Sequence, residues 1–240
     1  MKPQLTVAFP CHNEETNIAS VLEQWARGLA VKTRSFELLV IDNHSTDRTC
    51  DRVKKAARKD SRIRLVRNPR NLGYSGSCRQ AFRHARGRSV LFVDGDGQYR
   101  VTDGLKVWQA LRGGPALVLG RRVHRADPVP RKVTSALFRF CFYLLSGIPA
   151  ADPNVGLRGW RSGDGWLARY LEPGKPFANA QLLCAVRDRR EGWKEVEISH
   201  RSRGGGHSFY QYHRLPGIFL EFLRFMARWK AGGLTARGDR

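Results

Sequence analysis

The chain has 240 residues and a formal net charge of +22, with 43 lysines and arginines against 21 acids. Its 41% hydrophobic and 27% charged residues suffice to bury a core, which excludes a disordered chain. The five cysteines are odd in number and scattered, without Cys-x-x-Cys spacing, which argues against a disulfide scaffold or a zinc site and favours reduced thiols in the cytoplasm.

The first half of the chain alternates strand patterns with helix patterns. Near-continuous apolar runs predict strands at 5–9, 36–41, 63–67 and 89–93. Between them, helical patterns occupy 16–29, a segment ending near 59, and 74–85. Such an alternation is typical of a parallel sheet covered by helices on both faces, so the sequence predicts an α/β fold.

The second half is less regular. Its pattern predicts a strand at 116–119, a basic loop at 120–132, an apolar segment at 136–148, a glycine-rich turn region at 152–161, a helix at 177–187 and a strand at 194–198. A last helix is expected at 216–230, with one wide apolar face.

Three of the predicted strands are followed by polar clusters. These clusters occupy 10–15, 42–47 and 94–98. Ligands of open parallel sheets bind beyond the carboxyl ends of the strands, so three clusters at one edge predict a binding site there.

The third cluster carries Asp94, Asp96 and Gln98 directly after a buried strand. Two carboxylates and an amide are hard oxygen ligands, which suit Mg²⁺ or Mn²⁺ completed by substrate phosphates. An Asp-Gly turn chosen only for its geometry is the plainer interpretation of this motif alone. Its position after a strand, beside two further polar clusters, favours metal binding.

Several segments in order resemble the inverting family 2 glycosyltransferases with the GT-A fold, and within them the dolichol-phosphate mannose synthase or polyprenyl-phosphate glycosyltransferase branch. They are PCHNEETNI (10–18), VIDNHSTDRT (40–49), NLGYSGSCRQAFRHARG (71–87), DGDGQY (94–99), GRR (120–122), DPNVGLRGWR (152–161) and EVEISHRSRGGGHS (195–208). The chain departs from the family pattern at His12, where Tyr is usual, at Asn43 and His44, which replace Asp and Gly, and at Phe209, which replaces Lys.

The resemblance implies a GT-A, Rossmann-like fold with a mostly parallel sheet, and a GDP- or UDP-linked sugar donor, mannose or glucose being the expected sugar. It assigns the metal to Asp94, Asp96 and Gln98, with Asp96 also catalytic. Nucleotide-sugar binding falls to Pro10, His12, Glu14, Asp42 and Asp94. The departures at His12 and Asn43 leave the base, guanine or uracil, open.

The resemblance further implies a polyprenyl or dolichyl phosphate as acceptor. Such a phosphate is largely ionised at neutral pH, so it requires cations for binding more than a base for activation. The family positions assign it to Arg122, Arg131, Ser135 and Arg203, with Arg122 and Arg131 also counted as catalytic. Asp152 is the candidate general base if the acceptor is instead a hydroxyl group.

Alternatives to a lipid acceptor follow from the same residues. A family 2 enzyme could act on a hydroxyl of a saccharide, a small molecule or a protein. The positive charge alone would also suit a nucleic-acid-binding module, because residues 52–88 carry thirteen lysines and arginines against one acid, Asp60. We expect no nucleic acid partner, since that interpretation leaves the strand-end clusters unexplained and no nucleic-acid-binding motif is present.

The charge and the last predicted helix bear on membrane association. No secretory signal is visible and no apolar run reaches the length of a membrane span, so we expect a cytoplasmic protein held peripherally at the anionic inner face of the membrane. The helix at 216–230 could lie in the membrane interface or pack on protein. A membrane-embedded partner subunit could supply an anchor. We expect a catalytic domain at 1–212 and an amphipathic helix with a basic tail at 213–240.

Overall fold

The computed structural model describes residues 2–33, 35–123, 129–199, 201 and 215–232. Its core is a seven-stranded sheet with the order β3-β2-β1-β4-β6-β5-β7, in which only β6 runs antiparallel to its neighbours. The strands are β1 (Leu5–Cys11), β2 (Phe36–Asp42), β3 (Ile63–Arg67), β4 (Ser89–Val93), β5 (Leu117–Arg122), β6 (Leu157–Arg161) and β7 (Trp193–Ile198). The prediction of a mostly parallel α/β sheet is confirmed.

Seven α-helices and one 3₁₀ segment connect and cover these strands in the described part of the chain. They are α1 (Ile18–Ala30), α2 (Thr49–Lys59), α3 (Gly73–His84), α4 (Val101–Leu111), α5 (Val129–Ser146), the 3₁₀ segment (Ser162–Tyr170), α6 (Ala178–Asp188) and α7 (Leu215–Lys230). None of the helices in those residues combines the length and the apolar content that a membrane crossing requires.

The central strands form because their side chains are apolar on both faces. All seven residues of β2 are buried, and only Pro10 of β1 is partly exposed. On one face Trp25 of α1 packs edge-on against Phe9 of β1, with ring centroids 5.6 Å apart. Burial on both faces fixes the register of these strands, and therefore the position of the polar residues that follow them.

Two predictions for the second half were wrong. The turn region at 152–161 contains a strand, β6, which pairs antiparallel with β4 and β5. Its sequence, LRGWR, hides this because it carries a buried arginine and a glycine where a strand pattern would have apolar residues. The predicted basic loop at 120–132 was wrong at both ends, since β5 continues to Arg122 and α5 begins at Val129. Helix α4 was not predicted at all.

The last helix packs partly on the protein. Phe222, Phe225 and Met226 of α7 are buried, and the Phe222 ring contacts Phe138 of α5 and Phe177 at centroid distances of 4.6 and 5.8 Å. One part of its apolar surface is therefore covered. Helix α5 keeps a longer uncovered stripe, formed by Val133, Leu137, Phe140 and Leu144.

Candidate active site

The three polar clusters converge at one edge of the sheet. Strands β1, β2 and β4 are parallel neighbours, so their carboxyl ends meet there. Strand β5 points the same way, because two antiparallel pairings relate it to β4. The thiol of Cys11, at the end of β1, marks the convergence: burial raises its pKa well above the ordinary value, and the carboxylates Glu14, Asp42, Asp96 and Asp94 raise it further.

The loop after β2 is held by its own side chains. The wholly buried Asp42 carboxylate accepts hydrogen bonds from the Ser45 amide (3.2 Å) and the Cys50 thiol (3.1 Å), and Arg67 pairs with it at 3.2 Å. Burial raises the pKa of the Cys50 thiol, and the Asp42 carboxylate raises it further, to about 11. Through these contacts the buried Asp42 carboxylate stabilises the conformation of the loop after β2.

His12 bridges the loops after β1 and β2. Its Nδ1 lies 3.0 Å from the carbonyl oxygen of Asn43, while much of the ring is exposed. A carbonyl oxygen can only accept, so Nδ1 carries the proton and a neutral His12 presents Nε2 as an acceptor. Pro10 is partly exposed and Glu14 is buried on the same loop, where the Glu14 amide donates to Thr49 Oγ1 at 2.8 Å.

The carboxylates after β4 are held from several directions. Asp94 Oδ1 accepts a 2.7 Å hydrogen bond from the Tyr74 hydroxyl. Asp96 is buried, and its Oδ1 accepts from the Gln98 amide at 3.1 Å. The Gln98 side chain donates to the carbonyl of Arg201 at 3.0 Å. Burial, together with the neighbouring Asp96 charge, raises the pKa of Asp94 to about 6.

Glycine is required beside Asp94. A Cβ on Gly156, just before β6, would overlap Oδ2 of Asp94. The Gly156 backbone also carries the site, since its carbonyl accepts from the Asp94 amide at 3.0 Å and its amide donates to the Tyr99 hydroxyl at 2.8 Å. Close backbone approach therefore fixes one side of the Asp94 carboxylate.

The chemistry of this donor set fits a divalent cation. Asp94 and Asp96 repel one another when both are ionised, an effect that adds to burial in raising the pKa of Asp94, and a divalent cation would relieve that repulsion. Across the described residues, no group of three or more His, Cys, Asp and Glu side chains is arranged to hold a metal ion. Asp94, Asp96 and Gln98 would therefore hold Mg²⁺ or Mn²⁺ together with ligands from a substrate, as these ions commonly bind.

Arg122 and Asp152 form a buried pair next to the carboxylates. Arg122 Nε lies 2.7 Å from Asp152 Oδ2, and its terminal nitrogen lies 2.8 Å from Oδ1. Arg122 ends β5, and its charge partly offsets the burial and the Asp96 charge that raise the pKa of Asp94. Both oxygens of Asp152 accept from Arg122, an arrangement that orients the arginine.

The remaining predicted residues lie on or beyond α5. Arg131 and Ser135 are one turn apart on that helix and both are partly exposed. Arg203 lies outside the described residues. Three further residues of the site, Tyr74, Tyr99 and Arg158, were not assigned from the sequence, although each stands inside a segment on which the resemblance rests. Strand β6 was not recognised from the sequence, and its pairing with β4 is what connects Arg158, through Tyr74, to Asp94.

Comparison with known proteins places this geometry in a family. Residues 6–156 match the family model for Glycosyl transferase family 2. Dodecaprenyl-phosphate galacturonate synthase of Rhizobium johnstonii is 27% identical over 233 residues, which cover 95% of this chain and 68% of that protein. Undecaprenyl-phosphate 4-deoxy-4-formamido-L-arabinose transferase of Pseudomonas aeruginosa is 24% identical over 240 residues, covering 94% of this chain and 67% of that protein.

A solved structure shares the fold. The crystal structure of glucosyl-3-phosphoglycerate synthase from Mycobacterium tuberculosis, in complex with Mn²⁺, uridine-diphosphate and phosphoglyceric acid, aligns with a TM-score of 0.75 at 20% identity. The alignment covers 95% of this chain and 78% of that one. The likeness confirms the predicted GT-A fold.

Proposed function

This chain belongs to glycosyl transferase family 2 and is a glycosyltransferase, and from that membership we propose that it moves a sugar from a nucleotide-sugar donor onto the phosphate of a polyprenyl lipid. One observation carries the proposal: Asp94 and Asp96 follow β4, and Arg122, held by Asp152, ends β5, which runs in the same direction, so the carboxylates and the oriented cation share one edge of the sheet. Carboxylates suit a metal-bound diphosphate, and a preoriented guanidinium suits a phosphate. Both relatives described above are named for polyprenyl-phosphate substrates or products.

The reaction requires no general base when the acceptor is a phosphate. An oxygen of the ionised phosphate attacks the anomeric carbon, the bond from that carbon to the nucleoside diphosphate breaks, and the configuration inverts. Because a phosphate monoester has its second pKa near about 6, the nucleophile is already deprotonated at neutral pH. In this proposal Arg122 and Arg131 bind and orient the phosphates, Ser135 donates to them, and Arg203 adds a further cation.

The donor is assigned to the loops after β1, β2 and β4. Pro10 and His12 line the base and ribose, with the Nε2 acceptor of His12 available to an N–H of guanine or uracil, and the buried Glu14 and Asp42 contribute to nucleotide binding by holding these loops in shape. Asp94, Asp96 and Gln98 hold Mg²⁺ or Mn²⁺. When bound, the cation supplies neutralisation of the charge that develops on the departing diphosphate. The structure of the fold relative with Mn²⁺ and uridine-diphosphate supports a metal of this kind.

Membrane association is proposed through α5. Arg131 and Ser135 stand on the same helix as the uncovered stripe of Val133, Leu137, Phe140 and Leu144. An apolar stripe on a helix with basic residues, in a chain of net charge +22, suits the interface of an anionic leaflet. We assign the catalytic domain to residues 1–212 and the extension to 213–240, with the protein peripheral at the cytoplasmic face. A membrane-embedded partner subunit would add a second anchor.

The test is a transfer assay with purified protein, Mg²⁺ or Mn²⁺ and a panel of GDP- and UDP-sugars, with and without a short polyprenyl phosphate in detergent. We expect lipid-linked sugar and nucleoside diphosphate to form together, only with metal, and not with Asp96→Ala. Asp51→Ala, which removes an exposed carboxylate of α2, is the matched control and should remain active. Donor turnover that needs a hydroxyl acceptor in place of the lipid would overturn the lipid assignment.

A further inference from the structure

A buried arginine reaches the candidate metal site through one tyrosine. Arg158 of β6 is 0% exposed, and its guanidinium donates to the Tyr74 hydroxyl. The Tyr74 hydroxyl has a single hydrogen, which it donates to Asp94 Oδ1 at 2.7 Å. The order of donors is therefore fixed along the chain Arg158, Tyr74, Asp94.

The sheet register produces this chain. Arg158 pairs across the antiparallel ladder with Phe92 of β4. Phe92 and Asp94 are two residues apart at the end of that strand, so their side chains leave the same face of the sheet. Tyr74 of α3 lies edge-on over Phe92 at 5.6 Å. The Arg158 guanidinium lies 4.9 Å from the Tyr74 ring centre and 5.0 Å from that of Phe92.

Packing alone does not account for a charge at this place. In the part of the chain that the structure describes, Arg158 forms no salt bridge, and its Nε and one terminal nitrogen have no hydrogen-bond partner. A buried, unpaired guanidinium is strongly unfavourable, and an apolar side chain of similar length would suit such an interior better. Among the described residues, the two aromatic rings and the Val155 carbonyl compensate the charge in part, and the hydrogen-bond chain links it to the acidic group Asp94.

We propose that Arg158 is a positioning residue of the transferase site: through the Tyr74 hydroxyl it fixes the orientation of Asp94 before a divalent cation and the donor diphosphate bind. The inference rests on the proposed function, because it concerns how the chain receives that cation. Arg158 contacts neither the metal nor the donor in this account, and it acts entirely through Tyr74.

Two substitutions separate positioning from core packing. Tyr74→Phe keeps the ring, and with it the contacts to Phe92 and Arg158, but removes the hydroxyl. Arg158→Met keeps an unbranched side chain and removes the charge. Two controls match them away from the site. Arg161→Met removes an arginine from the other end of the same strand, where it pairs with Asp164, and Tyr170→Phe removes a buried hydroxyl that bonds to Asp188.

The measurement is Mn²⁺ binding, followed by the electron paramagnetic resonance signal of free Mn²⁺, with Mn²⁺ alone and with UDP or GDP added. Loss of an outer partner of a metal ligand weakens metal affinity about tenfold or more, which we expect for Tyr74→Phe and for Arg158→Met. Since both substitutions act on one hydrogen-bond chain, the double variant should bind Mn²⁺ no more weakly than the single variant with the lower affinity. Arg158→Lys, which retains a hydrogen-bond donor at this place, should recover part of the affinity, and both controls should bind as wild type does.

The outcomes are distinct. If Tyr74→Phe has a wild-type melting temperature and wild-type Mn²⁺ affinity, or if the two effects add fully, the positioning role is wrong while the proposed function stands. Arg158→Met could fail to fold, and the Tyr74→Phe result then decides alone. If wild type and Asp96→Ala bind Mn²⁺ equally poorly with either nucleotide, the metal assignment itself fails, and the positioning role fails with it.

Discussion

Arg122 and Asp152 meet through two hydrogen bonds, of 2.7 and 2.8 Å, and both side chains are almost completely buried. A planar guanidinium held by both oxygens of a carboxylate has one orientation, which a lysine could not reproduce. The pair therefore presents a cation of fixed direction beside Asp94. Because the carboxylate is fully engaged, the geometry favours an orienting role for Asp152 over the role of a base.

Asp152→Ala should destabilise the protein by about 3 kcal/mol, because it removes the carboxylate that neutralises a buried guanidinium. Asp164→Ala is the control, since it breaks a pair at 2.9 Å whose arginine is 42% exposed, and it should cost less than about 1 kcal/mol. Urea unfolding followed by circular dichroism measures both values. If both variants lost the same free energy of unfolding, the buried Arg122–Asp152 pair would contribute no more to stability than the exposed pair.

Gly156→Ala should inactivate the enzyme while leaving it folded. The added methyl group would overlap Asp94 Oδ2, and displacement of a reacting-site group by about 1 Å can lower the rate on the order of a hundredfold. Gly163→Ala is the matched control, because a Cβ at Gly163 meets no atom within 4 Å. Transfer rates and melting temperatures of both variants provide the check. A Gly156→Ala enzyme of wild-type rate would show that Asp94 has room to move.

The edge of the sheet was predictable because its causes are local. Strands at 63–67 and 89–93 have the predicted bounds, since continuous apolar runs ended by turns leave little choice of limits. Once the strands are parallel, the polar residues after them must share an edge. The three clusters could thus be grouped from sequence alone.

The inner layer of the site was not predictable, because its contacts depend on pairing between distant segments. Strand β6 contains Arg158 and Gly159, and neither residue indicates a strand until β4 and β5 lie on either side of it. The hydrogen bond from Arg158 to Tyr74 joins two segments that are 84 positions apart. Likewise, the sequence named Arg122 and Asp152 as separate candidates, and only the fold joins them.

Asp94 should lower the stability of the metal-free protein as the pH rises. Its folded-state pKa, about 6, is above the value of about 3.9 that an exposed aspartate has in the unfolded chain, so between these pH values the folded protein binds more protons than the unfolded protein. Stability from this group is therefore present below about pH 4 and is lost as the pH rises through 6. We expect Asp94→Asn to have a higher melting temperature than wild type at pH 7.5 in EDTA, and a smaller difference at pH 4.5.

The control for this pH dependence is Asp60, whose pKa is shifted in the opposite direction from that of Asp94. Asp60 pairs with Arg62 at 2.7 Å, and that hydrogen bond lowers the pKa of the Asp60 carboxyl. A lowered pKa contributes stability above the unfolded value, so Asp60→Asn should slightly lower the melting temperature at pH 7.5. If Asp94→Asn also lowered it, the Asp94 carboxylate would be better compensated in the folded protein than its surroundings indicate.

The stripe on α5 should carry the attachment to anionic membranes. Leu137 and Phe140 are 56% and 61% exposed, so changing both to Glu should leave the fold intact while placing two negative charges where an anionic leaflet would lie. We expect the Leu137→Glu, Phe140→Glu variant to bind phosphatidylglycerol vesicles at least about tenfold more weakly in co-sedimentation, since both burial of apolar area and electrostatic attraction are lost.

The control for this experiment is Val31→Glu, at an 81% exposed apolar residue after α1, which should bind vesicles as wild type does. Binding by wild type should also fall with added salt, because the basic surface attracts the leaflet over no more than about a Debye length. A double variant that still binds vesicles as wild type does would move the attachment away from α5, to the basic residues of α2 and α3.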